Sequence, residues 1–222
     1  MTVSIAPALP DDAPHIAALH VQAFSSNVLM RAIYPTPAIW TAFQNSVEEK
    51  FTADMRDPNM TVLVARYVDE AETRKQERGV VVGYAVWCHP VRAGEEGWKP
   101  PAWKLPDGTD WSVLRPWLAA AAKVAHEVIG ERPHYDLMWL AVSSDYARQG
   151  IGTLLLHWGL DLCEKEGVPA CLDSTVEAAG TFYQKAGFTE RGRIRLLVSG
   201  DMYEEVACVY APRGQTLAAM IE

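Results

Sequence analysis

Residues 135–167 hold the pattern that most restricts the fold of this chain. A short apolar run, YDLMWLAV, is followed after a polar turn by Gly150 and Gly152, and then by apolar residues at helical spacing up to Gly167. The run is short and does not alternate with polar residues, which predicts a strand covered on both faces. The later spacing predicts a helix that packs on a sheet and ends at Gly167. Its sheet-facing side is predicted to comprise Ile151, Leu154, Leu155, Trp158 and Leu162.

The glycine pair also predicts an anion site. Glycine weakens a helix but lets a ligand approach the backbone closely. The free amides of residues 149–153 and the helix dipole favour an anion there, phosphate above all. A turn that needs glycine only for its dihedral angles is the alternative. No Gly-Lys-Ser/Thr follows, and Leu155 stands where a dinucleotide fingerprint has its third glycine, so both of those nucleotide motifs are excluded.

The remaining segments read as strands mixed with helices, which indicates an α/β class. Strands are predicted at TVSIAPAL, MTVLVARYV, GVVVGYAVWCH, PACLDST, RGRIRLLVS and YEEVACVYA, and helices at PDDAPHIAALHVQAF, AIWTAFQNSVEEKFTADM, WSVLRPWLAAAAKVAHEVIG and EAAGTFYQKAG. Residues 25–37 are predicted to be a mobile apolar segment, and the charged run 69–79 a solvated hairpin tip. Residues 90–110, rich in proline and glycine, predict a long loop. We expect one domain over residues 1–222, with an insertion at about 90–133 between the third and fourth strands.

Composition and charge narrow the function classes. Twenty basic and 28 acidic residues give a net charge of −8, which disfavours nucleic acid and anionic membranes as partners. No apolar run has the length of a membrane span or a signal sequence. The four cysteines lack paired spacing, which predicts buried free thiols in a reducing compartment. The six histidines form no ligand pattern. We expect a cytoplasmic protein without a metal, with its oligomeric state open.

Two blocks resemble the GNAT superfamily of acyl-CoA-dependent N-acyltransferases. LAVSSDYARQGIG, at 140–152, is similar to the family's Leu-x-Val strand end and its Gln/Arg-x-x-Gly-x-Gly/Ala motif. EAAGTFYQKAGF, at 177–188, is similar to the family's Ala-x-x-x-Tyr-x-x-x-Gly-Phe. The first motif departs at Ala147, where the family has Gln or Arg, and Arg148 follows it. The order of elements also agrees, so the resemblance covers residues 2 to about 211. It implies a mixed, mostly antiparallel central sheet flanked by helices.

The resemblance also implies acetyl-CoA as acyl donor and assigns roles to particular residues. Cofactor contact is implied for the strand end and the turn, namely Leu140, Ala141, Val142, Arg148, Gln149, Gly150, Ile151, Gly152 and Thr153. Tyr183 is implied as the general acid that protonates the departing thiolate, and a phenol with a pKa near 10 suits that role. A core tyrosine with a satisfied hydroxyl is the alternative. Asp136 is the candidate base for the amine proton, and His134 and Asp173 are its rivals.

We therefore expect an N-acetyltransferase that moves an acetyl group to a primary amine by direct attack in a ternary complex. Five tryptophans crowd residues 87–117 and either anchor the long loop or line an acceptor pocket. Together with the acidic balance, they favour a small, partly apolar amine. A protein N-terminus or lysine is the alternative acceptor. A non-catalytic acyl-CoA-binding sensor is the alternative from another functional class.

Overall fold

Seven strands form one sheet in the computed structural model, which describes residues 2–68, 79–91 and 97–215. The strands are β1 (Thr2–Pro7), β2 (Met60–Val68), β3 (Val80–Cys88), β4 (Tyr135–Val142), β5 (Ala170–Thr175), β6 (Thr189–Val198) and β7 (Asp201–Tyr210). Their order in the sheet is β1-β2-β3-β4-β5-β7-β6. Only β4 and β5 pair in parallel. The prediction of a mixed, mostly antiparallel sheet is confirmed.

Helices cover both faces of this sheet. They are α1 (Ala13–Phe24), α2 (Val28–Ile33), α3 (Pro37–Asp54), α4 (Trp111–Val128) and α5 (Ile151–Glu166). A helical segment after β5 is built from an α-helical turn Val176–Ala178, a π-helical turn Ala179–Tyr183 and a 3-10 turn Gln184–Ala186. Helix α4 and the loop before it lie between β3 and β4. Residues 69–78 of the predicted hairpin tip and 92–96 of the predicted loop lie outside the described residues.

The segment 25–37 is partly helical, so the prediction of a mobile segment is wrong. Asn27 caps α2, because its side-chain oxygen accepts a hydrogen bond of 3.1 Å from the amide of Met30. Leu29 and Ile33 are buried, 3% and 2% exposed. A six-residue helix is too short to show periodicity in the sequence, and packing of its apolar side holds it in place.

Two apolar cores lie on opposite sides of the sheet. The α5 face carries α5 and the helical segment 176–186, and its core includes Trp87, Leu137, Leu155, Tyr183 and Cys208. The α3 face carries α1, α3 and the start of α4, and its core includes Ile16, Phe43, Val86, Leu114 and Ala141. A third, smaller cluster joins α4 to β6 and β7 on the α3 face. Strand β4 contributes to both cores, as its apolar sequence predicted.

Helix α5 packs with a different side from the one predicted. Leu154 is 48% exposed, whereas Leu156, Gly159 and Cys163 are buried. The prediction for Leu154 is wrong because α5 packs on the sheet through the side that contains Gly159. A glycine adds no apolar side chain to the sequence pattern, so the pattern did not reveal this side. A Cβ on Gly159 would lie 2.3 Å from Cζ2 of Trp87. Within the described ranges, no helix is long and apolar enough to cross a membrane.

Candidate active site

The sheet is split between β4 and β5. Only two residue pairs join these strands, Tyr135 with Ala170 and Asp136 with Cys171. Strand β5 is paired along its whole length with β7 on its other side, so the remainder of β4 faces a gap. We call this gap, between residues 137–142 of β4 and 172–175 of β5, the β4–β5 crevice. Main-chain groups along its β4 wall are free to pair with an extended ligand.

A β-bulge interrupts β4 at the narrow end of the crevice. The register with β3 passes from Val86 opposite Trp139 to Trp87 opposite Leu137, so Met138 is an extra residue without a partner on β3. Bulges of this kind turn side chains and main-chain groups away from the regular ladder.

The bulge changes which side chains of β4 share a face. Strand alternation in the sequence predicts Asp136, Met138 and Leu140 on one side of the sheet, but Leu140 packs with the α5-face core and Met138 with the α3-face core. The expectation for Leu140 is wrong because one inserted residue reverses the alternation of a strand. Asp136 lies between two residues of the α5-face core, so it points to the α3 face.

The N-terminus of α5 lies just beyond the carboxyl end of β4. Gly150 has φ +80°, in the left-handed region, and a Cβ there would meet no described atom within 4 Å. The first hydrogen bond of the helix runs from the amide of Leu154 to the carbonyl oxygen of Gly150, at 3.0 Å. Among the described residues, none accepts a hydrogen bond from the amides of 149–153. These donors and the open space at Gly150 fit a diphosphate.

Tyr183 lies on the α5 face, in the π-helical turn. It is 9% exposed and packs between Phe182 and Phe188, with ring centroids 4.9 and 5.8 Å away. In the part of the chain that the structure describes, its hydroxyl makes no hydrogen bond. Burial raises the pKa of Tyr183 to about 12, and the nearby Cys208 acts in the same direction. The phenol is therefore a neutral hydrogen-bond donor, and no described core partner satisfies its hydroxyl.

Asp136 lies at the point where β4 and β5 part. Cys88 of β3 and Cys171 of β5 are its cross-strand neighbours. Burial raises the pKa of the Asp136 carboxyl to about 6, and His134 acts in the opposite direction. Nδ1 of His134 lies 2.6 Å from the carbonyl oxygen of Arg132, which can only accept, so Nδ1 carries the proton and Nε2 is free to hold another.

A second group of polar side chains on the α3 face was missed from the sequence. Glu205 of β7 accepts hydrogen bonds from the hydroxyl of Tyr203, at 2.5 Å, and from Nε1 of Trp117, at 3.3 Å. Burial, Asp136 and Glu205 together raise the pKa of Asp173 to about 7. One signal was available: alternation in YEEVACVYA places Glu205 on the same side as Ala207, at a position otherwise suited to a core residue.

The long loop is anchored by two of its tryptophans. Nε1 of Trp98 donates to Asp57 at 3.1 Å, and Nε1 of Trp103 donates to the hydroxyl of Ser46 at 2.8 Å. Trp103 also packs edge-on against Trp139 of β4, with centroids 6.0 Å apart. The loop is thus fixed on α3 and reaches the strand that borders the crevice, which supports the anchoring interpretation for these two residues.

The predicted site residues meet around the β4–β5 crevice. Leu140, Ala141 and Val142 belong to its β4 wall, and residues 148–153 lie at its open end. Asp136 and Tyr183 lie on opposite faces of the sheet. Their catalytic roles stay predictions. The described ranges contain no cluster of three or more His, Cys, Asp or Glu side chains able to hold a metal ion.

A split, mostly antiparallel sheet with a glycine-rich helix start at the split is the arrangement expected from the family that the two sequence blocks resemble. The model of the acetyltransferase (GNAT) domain matches residues 116–190, which contain β4, α5, β5 and the helical segment after it. Over these residues, the chain is similar to the acetyltransferase (GNAT) domain.

Known proteins are similar to this chain in part of its sequence or in its fold. The chain is 54% identical over 41 residues to the probable acyltransferase SID5 of Ajellomyces capsulatus, a match that covers 18% of this chain and 29% of that relative. It resembles the solved structure of the histone acetyltransferase HPA2 and related acetyltransferase of Corynebacterium glutamicum, with a TM-score of 0.62 and 22% identity over 97% of this chain and 99% of the other. It also resembles the PaiA N-acetyltransferase of Thermoplasma acidophilum in complex with coenzyme A, with a TM-score of 0.53 and 12% identity over 95% and 99% of the two chains. At these identities, the two structures show the fold alone.

Proposed function

We propose that this chain transfers an acetyl group from acetyl-CoA to a primary amine, and that the acceptor is small and partly apolar. The observation that carries the proposal is the β4–β5 crevice with the free amides of α5 at its open end. The crevice offers unpaired main-chain groups to an extended arm, and the helix start offers donors to a diphosphate. Coenzyme A combines these two chemical features in one molecule.

The residues that would hold acetyl-CoA are those of the crevice wall and the helix start. Amides of residues 149–153 bind the diphosphate, Arg148 adds a positive charge, and the main chain of 140–142 pairs with the pantetheine arm. Gly150, where a Cβ would meet no described atom within 4 Å, keeps the approach free of a side chain. When bound, acetyl-CoA supplies the acyl thioester.

The cysteines nearest the crevice do not suit an acyl-enzyme route. Burial, Asp136 and the other nearby carboxylates raise the pKa of Cys88 to about 12, and burial with Asp136 raises the pKa of Cys171 well above its usual value. A thiol must lose its proton to attack, so neither is an activated nucleophile. This supports direct attack by the amine in a ternary complex.

Proton transfer divides between the two faces of the sheet. On the α3 face, Asp136 takes a proton from the attacking amine, since a base with a pKa of about 6 is ionised at neutral pH. His134, beside it, can pass that proton to solvent through Nε2. On the α5 face, the neutral hydroxyl of Tyr183 donates a proton to the departing thiolate. An amine that enters from one face and a thiolate that leaves on the other need this arrangement.

The surroundings of Asp136 support a cationic acceptor with an apolar part. Asp173 and Glu205 add negative charge, and Trp139 adds apolar surface on the same face. A protein N-terminus or lysine is the alternative acceptor. The similarity in fold to the histone acetyltransferase of Corynebacterium glutamicum supports this alternative. We place the reaction in the cytoplasm, because the four cysteines are free thiols.

An acceptor screen tests the proposal. Release of free coenzyme A from acetyl-CoA is followed with a panel of alkyl, aryl and amino-acid amines and with short peptides, and products are identified by the mass of one added acetyl group. We expect release that depends on an amine and is at least tenfold slower in Tyr183→Phe. Tight binding of acetyl-CoA without turnover on any amine or peptide would replace the enzyme with the sensor module.

A further inference from the structure

A groove separate from the crevice lies between α2, the first turn of α3 and the turn from β6 to β7. Its volume is about 330 Å³, at the small end of ligand pockets, which span roughly 300–1,000 Å³. Val28, Arg31 and Ala32 line one side, and their spacing places them on one side of α2. Trp40 of α3 and Ser199 of the β6–β7 turn line the rest, together with Tyr34 and Pro35.

Arg31 brings a positive charge to this groove without a counter-ion. Among the residues that the structure describes, none forms an ion pair or a hydrogen bond with its guanidinium. The chain has 28 acidic residues against 20 basic ones, so acidic partners are plentiful elsewhere on its surface. A guanidinium favours a planar anion with two oxygens, such as a carboxylate.

Tyr34 supplies a second donor in the same groove. It is only 4% exposed, and its hydroxyl makes no hydrogen bond within the described residues. The ring is held by Phe43, stacked at 4.1 Å, and by Trp40, edge-on at 5.6 Å. Burial raises the pKa of Tyr34, so the hydroxyl keeps its proton. A buried phenol that lines a groove and has no partner there is suited to donate to a ligand.

We propose that this groove binds the carboxylate end of the amine acceptor, with Arg31 and Tyr34 as donors and Trp40 and Val28 as apolar walls. The role as an acceptor subsite rests on the proposed acetyl transfer, but the binding of a carboxylate does not. The acceptor is then an amine that carries a carboxylate at some distance from its amino group.

A continuous set of contacts connects the groove to the crevice. Asn27, one helical turn of about 5.4 Å before Arg31, caps α2 and donates through Nδ2 to the hydroxyl of Tyr203 at 2.9 Å. Tyr203 in turn donates to Glu205, whose charge acts on Asp173. The groove and the acidic group near Asp136 are therefore linked by hydrogen bonds from Asn27, the N-cap of α2, through Tyr203 to Glu205 of β7.

Binding of a carboxylate is measured directly, in the absence of acetyl-CoA. The probe is 3-phenylpropionate, compared with its neutral amide and with inorganic phosphate by ligand-observed NMR titration. We expect the carboxylate to bind at least tenfold tighter than the amide or phosphate, and to bind about tenfold more weakly in Arg31→Gln and Tyr34→Phe. Arg191→Gln, the same change at an exposed arginine outside the groove, should bind as the unaltered protein does. Equal binding of acid and amide, or tightest binding of phosphate, overturns the inference.

The acceptor role is measured with ω-amino acids of increasing chain length against alkylamines of matched length. We expect Arg31→Gln to raise KM roughly tenfold for the amino acids, while KM for the alkylamines and kcat for both stay unchanged. Equal KM values for both series in the unaltered protein overturn the acceptor role. Absence of turnover on every amine contradicts the proposed acetyl transfer instead, and the binding titration still decides whether the groove takes a carboxylate.

Discussion

Gly159 of α5 lies directly against the indole ring of Trp87 on β3. A Cβ at position 159 would lie 2.3 Å from Cζ2 of Trp87 and 2.4 Å from Cε2, and Trp87 is fully buried. The absence of a side chain at Gly159 therefore sets how closely α5 approaches the sheet. Because the free amides of residues 149–153 begin the same helix, this contact also helps to position the candidate diphosphate site.

Gly159→Ala should destabilise the fold by about 1–3 kcal/mol, the usual cost of overpacking a closely packed core. The indole ring is enclosed and cannot move away without displacing its neighbours. Thermal and denaturant unfolding measure the change. Gly180→Ala is the matched control, because a Cβ at Gly180 would meet no described atom within 4 Å. Equal midpoints for the two variants would show that the contact at Gly159 relaxes freely.

Gly150→Glu should abolish binding of acetyl-CoA, because it places bulk and negative charge where the diphosphate is proposed to lie. Residue 150 has φ +80°, so part of any effect comes from backbone strain. Gly150→Asn separates the two causes, since asparagine tolerates this conformation and adds no charge. Isothermal titration with acetyl-CoA should show a far larger loss for glutamate than for asparagine. Retained affinity in Gly150→Glu would place the diphosphate elsewhere.

Tyr183→Phe should lower kcat by roughly ten- to a thousandfold, the span expected for loss of a general acid. Affinity for acetyl-CoA should change little, because only the hydroxyl is removed and no described residue bonds to it. Steady-state kinetics and titration measure the two quantities. Tyr210→Phe is the control: it loses a hydroxyl that donates to Glu164 of α5, and it should keep kcat. An unchanged rate in Tyr183→Phe would leave Tyr183 as a core residue.

The rate should fall as pH falls through about 6, because Asp136, with a pKa raised to about 6, must be ionised to accept a proton. Ionisation of the amine adds the same acidic slope to the kcat/KM profiles of both proteins. In Asp136→Asn, which cannot titrate at this position, the additional inflection near pH 6 should disappear, so the difference between the profiles isolates Asp136. An additional inflection near pH 7 that persists in Asp136→Asn would transfer the role to Asp173, whose pKa is raised to about 7.

Ionisation of Asp173 should make the folded state less stable as pH rises, whereas the rate is expected to increase with pH. Its pKa rises from 3.8 to about 7 on folding, so the folded state binds this proton more tightly than the unfolded state. Stability is therefore lost as pH rises from about 4 to about 7. Asp173→Asn should unfold at a higher temperature than the unaltered protein at pH 8, and at the same temperature near pH 4.

Asp110 provides a control of opposite sign for this measurement. Hydrogen bonds from Ser112 lower the pKa of Asp110 in the folded state. The ionised carboxylate therefore stabilises the fold at pH values above its pKa in the unfolded state, and this stability is lost as pH falls. Asp110→Asn should therefore reduce stability at pH 8. A decrease in stability for Asp173→Asn at pH 8 would contradict a destabilising carboxylate at that position.

Much of the fold and part of the candidate site can be predicted from residue patterns within single segments of the chain. The run at 135–142 and the spacing after Gly150 predicted β4 and α5 nearly to the residue, because burial on both faces and helical periodicity leave signatures within one segment. The two resembling blocks indicated the candidate diphosphate turn and Tyr183. The contact between Trp117 and Glu205 was not predicted, because these residues are 88 positions apart and meet only when α4 packs against β7.

The sequence alone determined most of the elements, the glycine-rich helix start and the resemblance to GNAT acyltransferases, since each depends on residues close together along the chain. Only the tertiary structure decided where β4 and β5 part, that Met138 bulges and moves Leu140 to the α5 face, and that Arg31 and Tyr34 line one groove. These features depend on strand register and on packing between segments far apart in the chain. The energies of strand register and of packing depend on pairs of elements, so the sequence of one segment does not specify them.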